Sequence, residues 1–399
     1  MTNTHMLQTT FATRTLKMQS NAIREILKVV NRPGMVSLAG GIPAPESFPL
    51  ALMQELTTTV LQKYGATALQ YDATEGFAPL RAALPPHLAT KGVTATAEEI
   101  LIFSGSQGVL DALGKILISP GDCVAVEAPT YVGALSAFNP YEPTYVQIAT
   151  DDQGIIPAAL AEVLQRQPIK FIYLVPTFQN PTGRTIPLAR RQAIAAIVQQ
   201  HGVLLVEDDP YSDLRYQGEA VPPIKTFAPD HVVYVSTLSK TFAPGLRIGF
   251  CVAPEAIYRW LVITKQGVDL HTSTFNQALA AEYLSGGYLQ QQLPKILALY
   301  RPRQQAMLAA LDRYMPASFQ WTQPEGGMFL WLEGPPGLDT EQVYWRAIEK
   351  RTAFVPGKFF YAEPGVGDAT MRLNSTMANE ETIDWAVRTL AEVIAEHVA

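Results

Sequence analysis

The chain is predicted to be an α/β protein with a mainly parallel sheet flanked by helices, followed by a second, smaller domain. Three observations carry this prediction. Short apolar runs recur between Leu101 and Ala253, helix-period segments separate several of them, and beyond Phe275 the pattern changes to long helical stretches with only short strand-like pieces. Strands alternating with helices form parallel sheets, because each crossover helix packs back onto a face of the sheet.

The runs LIF at Leu101, VAVE at Val124, FIYLV at Phe171, VLLVED at Val203, VVYVST at Val232 and IGFCVA at Ile248 read as buried strands. Each is continuously apolar, the pattern of a strand covered on both faces. VLDALGKIL from Val109 and PLARRQAIAAIVQQ from Pro187 have helical period, with the proline acceptable in a first turn. From Phe275 to Leu311 the composition is helical with few breaks before Pro294, which predicts long helices joining the two domains. MLAALDRYM and TIDWAVRTLAEVIAEHVA then read as helices, with MFLWLE and MRLNS as strands between them. No internal repeat or low-complexity tract is present.

The 399 residues are 48% hydrophobic, enough for a large core, and the formal net charge of -6 argues against nucleic-acid backbones and anionic membrane surfaces as partners. Cys123 and Cys251 lie in separate apolar segments and are expected as free thiols. The N-terminal residues have no apolar core of signal-peptide length, and no apolar run approaches a membrane span, so the expected location is the cytoplasm. His5, His87, His201, His231, His271 and His397 are scattered without ligand spacing, and no metal site is expected.

Candidate chemistry gathers where strands end, the usual place for a site in such a sheet. STLSKTFAPGLRIGF, from Ser236 to Phe250, holds Lys240 among small hydroxyl residues before a Pro-Gly turn. Partial desolvation there favours the neutral, nucleophilic amine. Arg247, Thr237 and Ser239 could meet an anion, although a surface loop is the other reading of the segment. SGSQ from Ser104 to Gln107 is either a serine-capped turn or a cradle in which the N–H groups of Gly105, Ser106 and Gln107 face an anion. In LLVEDDPY, the acids Glu207, Asp208 and Asp209 must reach solvent or find a cation: they either cap the turn or leave Asp208 buried against a protonated ring nitrogen. FQNPTG is either a plain turn or a device that aims the Asn180 amide. GGMFLWL reads as core strand, with Gly326 and Gly327 allowing a neighbouring loop to approach.

Taken together, Lys240 in SKTFAPGLRIGF, Asn180 in NPTG, Asp208 and Tyr211 in DDPY, and the SGSQ turn resemble the signature set of the fold-type-I pyridoxal-phosphate enzymes, specifically the class I/II aminotransferases. The resemblance runs from about Ala22 to Ser375. Through IREIL, SLAGGIPAPESFP, LQYDATEGFAPLR, KQGVDLHT, PEGGMFLW, FVPG and MRLNS the chain is most similar to the bacterial 2-aminoadipate and the kynurenine/aminoadipate aminotransferases. This resemblance implies a large domain with a seven-stranded-type sheet and a smaller α+β domain. The corresponding division is an N-terminal arm and helix over the active site at 1–40, a cofactor-binding domain at 41–285 and a C-terminal domain at 286–399.

The resemblance also implies roles. Lys240 would form the Schiff base with pyridoxal 5'-phosphate and move the substrate proton, and Asp208 would pair with the pyridine nitrogen. Asn180 and Tyr211 would bond the phenolic oxygen, and Tyr131 in APTY would stack on the ring. Ser106, Gln107, Thr237, Ser239 and Arg247 would bind the phosphate, joined by Tyr71 from the neighbouring subunit of a homodimer with shared active sites. Arg372, with Gly41 and Asn180 beside it, would hold the substrate α-carboxylate, in a two-pronged geometry that lysine does not copy. Arg24, in SNAIREIL, would meet the distal carboxylate of an acidic substrate.

The implied reaction is a ping-pong amino transfer from an L-amino acid to a 2-oxo acid, with 2-oxoglutarate as acceptor. Two rivals stand beside it. A lyase or decarboxylase would use the same lysine, since reaction choice depends on which α-carbon bond stands perpendicular to the ring. A cofactor-binding sensor domain of a transcription regulator is disfavoured, because about twenty residues before Ala22 are too few for a DNA-binding module and the charge is acidic.

Overall fold

The continuously apolar runs become strands whose successive side chains enter different cores. In the computed structural model, which describes residues 10–18 and 34–398, seven strands form one sheet. They are β1 (Ile100–Ser104), β2 (Cys123–Glu127), β3 (Thr144–Ile148), β4 (Phe171–Leu174), β5 (Leu204–Asp209), β6 (Val232–Thr237) and β7 (Ile248–Val252), in the order β1-β7-β6-β5-β4-β2-β3. β7 runs antiparallel to both β1 and β6, and every other neighbouring pair is parallel. The carboxyl ends of β1, β2, β4, β5 and β6 and the amino end of β7 therefore share one edge, where the catalytic candidates lie.

The two-residue period of a strand explains the layering. Phe171 and Tyr173 enter one apolar cluster with α1 (Ser106–Leu117), whereas Ile172 and Leu174 enter another on the opposite face with Ile194, Ala195 and Val198 of α3 (Leu188–His201). Between them in sequence, α2 (Val132–Phe138) buries Phe138 beside Phe171. The sheet is thus covered on both faces.

One strand was not among the apolar runs. β3, TYVQI, lies at the sheet edge and is only partly buried along most of its length, so its composition is mixed. Pro187 occupies the N-cap of α3 rather than its first turn. The long helical region is α4 (Thr274–Ser285) and α5 (Tyr288–Tyr314), broken at Gly286 and Gly287. Neither Pro294 nor Pro302 ends α5, because Leu289, Ile296, Tyr300, Met307 and Leu311 anchor it on both sides of each proline, and burial outweighs the missing N–H bonds.

The C-terminal part has its own sheet, β8 (Gln320–Trp321), β9 (Phe329–Glu333), β10 (Val355–Pro356) and β11 (Thr370–Asn374), ordered β8-β9-β11-β10 and antiparallel throughout. It packs with α6 (Thr340–Glu349) and α7 (Glu380–Val398) around Leu330, Leu332, Leu373, Val387 and Leu390. Val36 and Ser37 pair with Thr352 and Ala353, and Leu38 and Ala39 enter this core, so residues 36–39 are fastened to the C-terminal part. Among the described residues, no helix is long and apolar enough to cross a membrane and no cluster of His, Cys, Asp or Glu is arranged to hold a metal.

Candidate active site

The shared strand edge opens into a cavity lined by Ser106, Gln107, Tyr131, Asn180, Asp208, Tyr211, Thr237, Ser239, Lys240 and Arg247. These come from five strand ends, those of β1, β2, β4, β5 and β6, with Lys240 and Arg247 on the one connection between β6 and β7. Lys240, three residues past β6, donates from Nζ to the Gly41 carbonyl at 2.8 Å. Burial, then the positive charges of Arg372 and Arg247, bring its amine down to about 8. About half of Lys240 is therefore neutral near pH 8, where an ordinary lysine is almost wholly charged.

The three acids at the end of β5 are all buried and are satisfied mainly by N–H and O–H donors, where a cation or solvent was expected. Glu207 accepts from the backbone N–H groups of Ile224 at 2.9 Å and Lys225 at 2.8 Å. Asp209 accepts from Ser212 and, at 2.6 Å, from the Tyr234 hydroxyl, with Lys91 as far as 4.0 Å away. Asp208 faces the cavity: Oδ2 accepts from Tyr173 at 2.7 Å, and Oδ1 is buried without a partner. Desolvation raises Asp208 to about 7.

Asn180, on the loop after β4, donates to the Tyr211 hydroxyl at 3.3 Å and accepts from Arg372 Nη1 at 2.8 Å. Arg372, in β11, also donates from Nη2 to the Ala39 carbonyl at 2.7 Å, and its guanidinium lies over the Phe329 ring at 4.2 Å and near Phe360 at 4.9 Å. It is 2% exposed, its Nε has no partner, and among the described residues no carboxylate pairs with it. Burial lowers it to about 10, so it keeps its charge. A buried cation without an anion is a costly arrangement that an incoming carboxylate would relieve.

The anion end is built around Gly105. Its φ of +86° suits glycine, and a Cβ there would come within 2.0 Å of Arg247 Nη2. A Cβ on Gly249 would likewise meet the Ser106 backbone nitrogen at 2.2 Å. These glycines let β7 and the start of α1 close on each other, with Arg247 at the opening. The Gly105 N–H turns back to the Phe103 carbonyl at 2.7 Å and is not available to a ligand, so the cradle reduces to the first turn of α1 with Thr237, Ser239 and Arg247. The Gln107 side chain donates to the Gly133 carbonyl at 2.6 Å and ties α1 to α2.

Tyr131, at the N-cap of α2, lies beside the cavity with its hydroxyl pushed up to about 12 by burial. Tyr71 is not in this cavity: it is 77% exposed and contacts His271 edge-on at 5.7 Å. Arg24 lies outside the described residues. Gly326 and Gly327 admit the loops at Leu214 and Phe178, which a Cβ would strike at 2.3 Å and 2.5 Å. Sequence reasoning missed Tyr173, which lies within an apolar run and reads as core.

These residues fit pyridoxal 5'-phosphate. An unpartnered buried carboxylate oxygen suits a protonated ring nitrogen, a glycine-lined helix start with a neighbouring arginine suits a phosphate, and a desolvated amine suits an aldehyde.

Comparison with known proteins gives the same picture. The family model described as aminotransferase class I and II matches residues 36–390. Aromatic-amino-acid aminotransferase 1 of Thermococcus litoralis is 45% identical over 395 residues, covering 97% of this chain and 94% of that protein. Pyrococcus horikoshii kynurenine aminotransferase, solved in complex with PMP, KYN as substrates and KYA as products, is 42% identical, with a TM-score of 0.94 and 98% of each chain covered. LysN, the alpha-aminoadipate aminotransferase of Thermus thermophilus, complexed with N-(5'-phosphopyridoxyl)-L-leucine, is 39% identical, with a TM-score of 0.92 and 98% of each chain covered.

Proposed function

Because the chain belongs to the class I and II aminotransferases and takes pyridoxal 5'-phosphate as its cofactor, we propose that it moves the amino group of an L-amino acid to a 2-oxo acid in two successive half-reactions. Glutamate or 2-aminoadipate and aromatic or branched aliphatic amino acids are the donors, and 2-oxoglutarate is the acceptor. The observation that carries this reading is Arg372, a buried cation with no carboxylate partner among the described residues, hydrogen-bonded to Asn180 on the rim of the Lys240 cavity. An α-carboxylate common to every amino and 2-oxo acid answers it. The names of the similar proteins span aromatic, kynurenine and aminoadipate substrates, and one holds a leucine adduct, which supports a broad donor range.

When bound, the cofactor supplies an aldehyde carbon that exchanges amines and a ring that withdraws electrons from the substrate α-carbon. Lys240 would hold the cofactor covalently and, as a free neutral amine, would take and return the proton at the substrate α-carbon. Asp208 would hold the proton at the ring nitrogen. Asn180 and Tyr211 would bond the phenolic oxygen, and Tyr131 would cover the ring. Ser106, Gln107, Thr237, Ser239 and Arg247 would hold the phosphate. Tyr71, exposed on this chain, would reach the phosphate of a second copy in a homodimer. In this reading residues 41–285 carry the cofactor and residues 286–399 bring Arg372 to it.

Arg24 discriminates between donors by pairing with a second carboxylate and swinging out for apolar side chains. Single-turnover half-reactions with individual amino acids test both ideas. Amino transfer without loss of carbon dioxide or side chain is expected for glutamate, 2-aminoadipate and phenylalanine. Arg24→Ala should weaken the acidic donors by roughly 2 to 4 kcal/mol of transition-state binding and leave apolar donors nearly unchanged. An equal fall for both classes would remove Arg24 from the substrate site.

A further inference from the structure

The two oxygens of the Asp208 carboxylate stand in different circumstances. Oδ2 accepts the hydrogen bond from Tyr173 at 2.7 Å, and Oδ1 is buried with no partner. Tyr173 comes from β4, where its backbone is in register with Val206 of β5, and its side chain is 0% exposed. Its ring packs edge-on against Phe138 at 5.9 Å, so it has no room to turn away. Tyr173 is not among the cavity-lining residues. It therefore stands behind Asp208 and not on the cavity wall.

We propose that Tyr173 is a positioning residue: by donating to Oδ2 it fixes the plane of the Asp208 carboxylate and directs Oδ1 at the cofactor ring nitrogen. The proposal rests on the role assigned to Asp208 above. The bond also governs charge. Burial drives Asp208 towards its protonated form and Asp209 on the same strand adds to that, whereas the Tyr173 hydroxyl stabilises the carboxylate and opposes both. Tyr131 and Tyr211 face the carboxylate from the loops before α2 and after β5, and Glu127 on β2 acts on Tyr173 from the other side. Desolvation and the neighbouring Asp208 charge hold the Tyr173 phenol well above its ordinary range, so it serves only as a donor. Without that donor, Asp208 would keep its proton through neutral pH, and a neutral acid cannot pair with a protonated ring nitrogen.

The test is equilibrium binding of pyridoxal 5'-phosphate to the apoenzyme, in the wild type, Tyr173→Phe, Asp208→Asn and the double variant, across pH. Tyr173→Phe should weaken cofactor binding roughly tenfold to a hundredfold near neutral pH, the usual worth of a hydrogen bond to a buried charge, and should weaken it little further in the Asp208→Asn background. Equal losses in both backgrounds would make Tyr173 a packing residue and overturn the proposal, as would undiminished binding by Tyr173→Phe while Asp208→Asn binds weakly. Wild-type affinity in Asp208→Asn would instead strike down the role of Asp208 itself, and the proposal with it. If Tyr173→Phe does not reach the native circular dichroism spectrum, 3-fluorotyrosine at 173 keeps the shape and supplies a more acidic donor. The pH midpoint of cofactor binding should then move down, and an unmoved midpoint overturns the proposal.

Discussion

At the scale of single residues, the site is governed by what burial does to charge. Lys240 is a lysine made nucleophilic by its surroundings: burial and two neighbouring guanidinium groups bring it to about 8. The rate at which the apoenzyme joins covalently to pyridoxal 5'-phosphate should therefore rise with pH through about 8 and level off above it, followed by stopped-flow absorbance. A rate still climbing steeply well above that point would mean that Lys240 is solvated like a surface lysine. Lys240→Ala should retain the cofactor through the phosphate and ring contacts yet lose nearly all turnover. Borohydride reduction of the wild type followed by peptide mapping should place the label on Lys240. Burial lowers Arg372 in the same direction, but its guanidinium stays charged because its ordinary pKa is so high, and among the described residues only a carboxylate partner is lacking.

At the scale of elements, the anion end depends on how closely β7 approaches the start of α1. Gly105 combines a positive φ with a Cβ position already filled by Arg247, and Gly249 lies against the Ser106 nitrogen. Gly105→Ala must both strain the backbone and displace the arginine, so it should destabilise the holoenzyme by about 1–3 kcal/mol and speed cofactor loss. Thermal unfolding and dialysis against phosphate read these two effects separately. Unchanged cofactor retention would show that Arg247 has another place to go. SGSQ is recognisable in the sequence as a strand-to-helix turn, but the partner that closes it is more than a hundred residues away. No local pattern reports that distance.

At the scale of the whole molecule, several buried acids lie beneath the site. Desolvation raises Asp208 and Glu207 to about 7 and Glu127 to about 8. The folded apoprotein keeps these protons where the unfolded chain, with ordinary carboxylates, has released them. This contribution is fully present below the unfolded carboxylate range and is lost as pH rises through the folded values. His87, lowered to about 4, acts in the opposite sense between that value and its ordinary 6.5, so the acids prevail most clearly from mildly acidic to mildly basic pH. Apoprotein melting temperature should fall between about pH 6.5 and about pH 8, and Glu127→Gln should flatten the fall. Melting curves at fixed ionic strength decide it, and a rising melting temperature over that interval would refute the account.

The apolar runs and their helical intervals determined the α/β architecture, because a strand covered on both faces must be apolar along its whole length. The lysine, acid, asparagine and arginine motifs marked the loops that carry chemistry, because those residue types are costly at the ends of buried strands without a purpose. The sequence singled out Asp208 among the three β5 acids but left open whether they merely cap the turn, how Arg372 meets Asn180 across the two sheets, and that Tyr173 holds Asp208. The edge strand β3 and the passage of α5 through its prolines were equally out of reach of local pattern. Only the tertiary structure decided these, since each depends on contacts between residues far apart in the chain, and a side chain's burial and partners are set by packing that no local window contains.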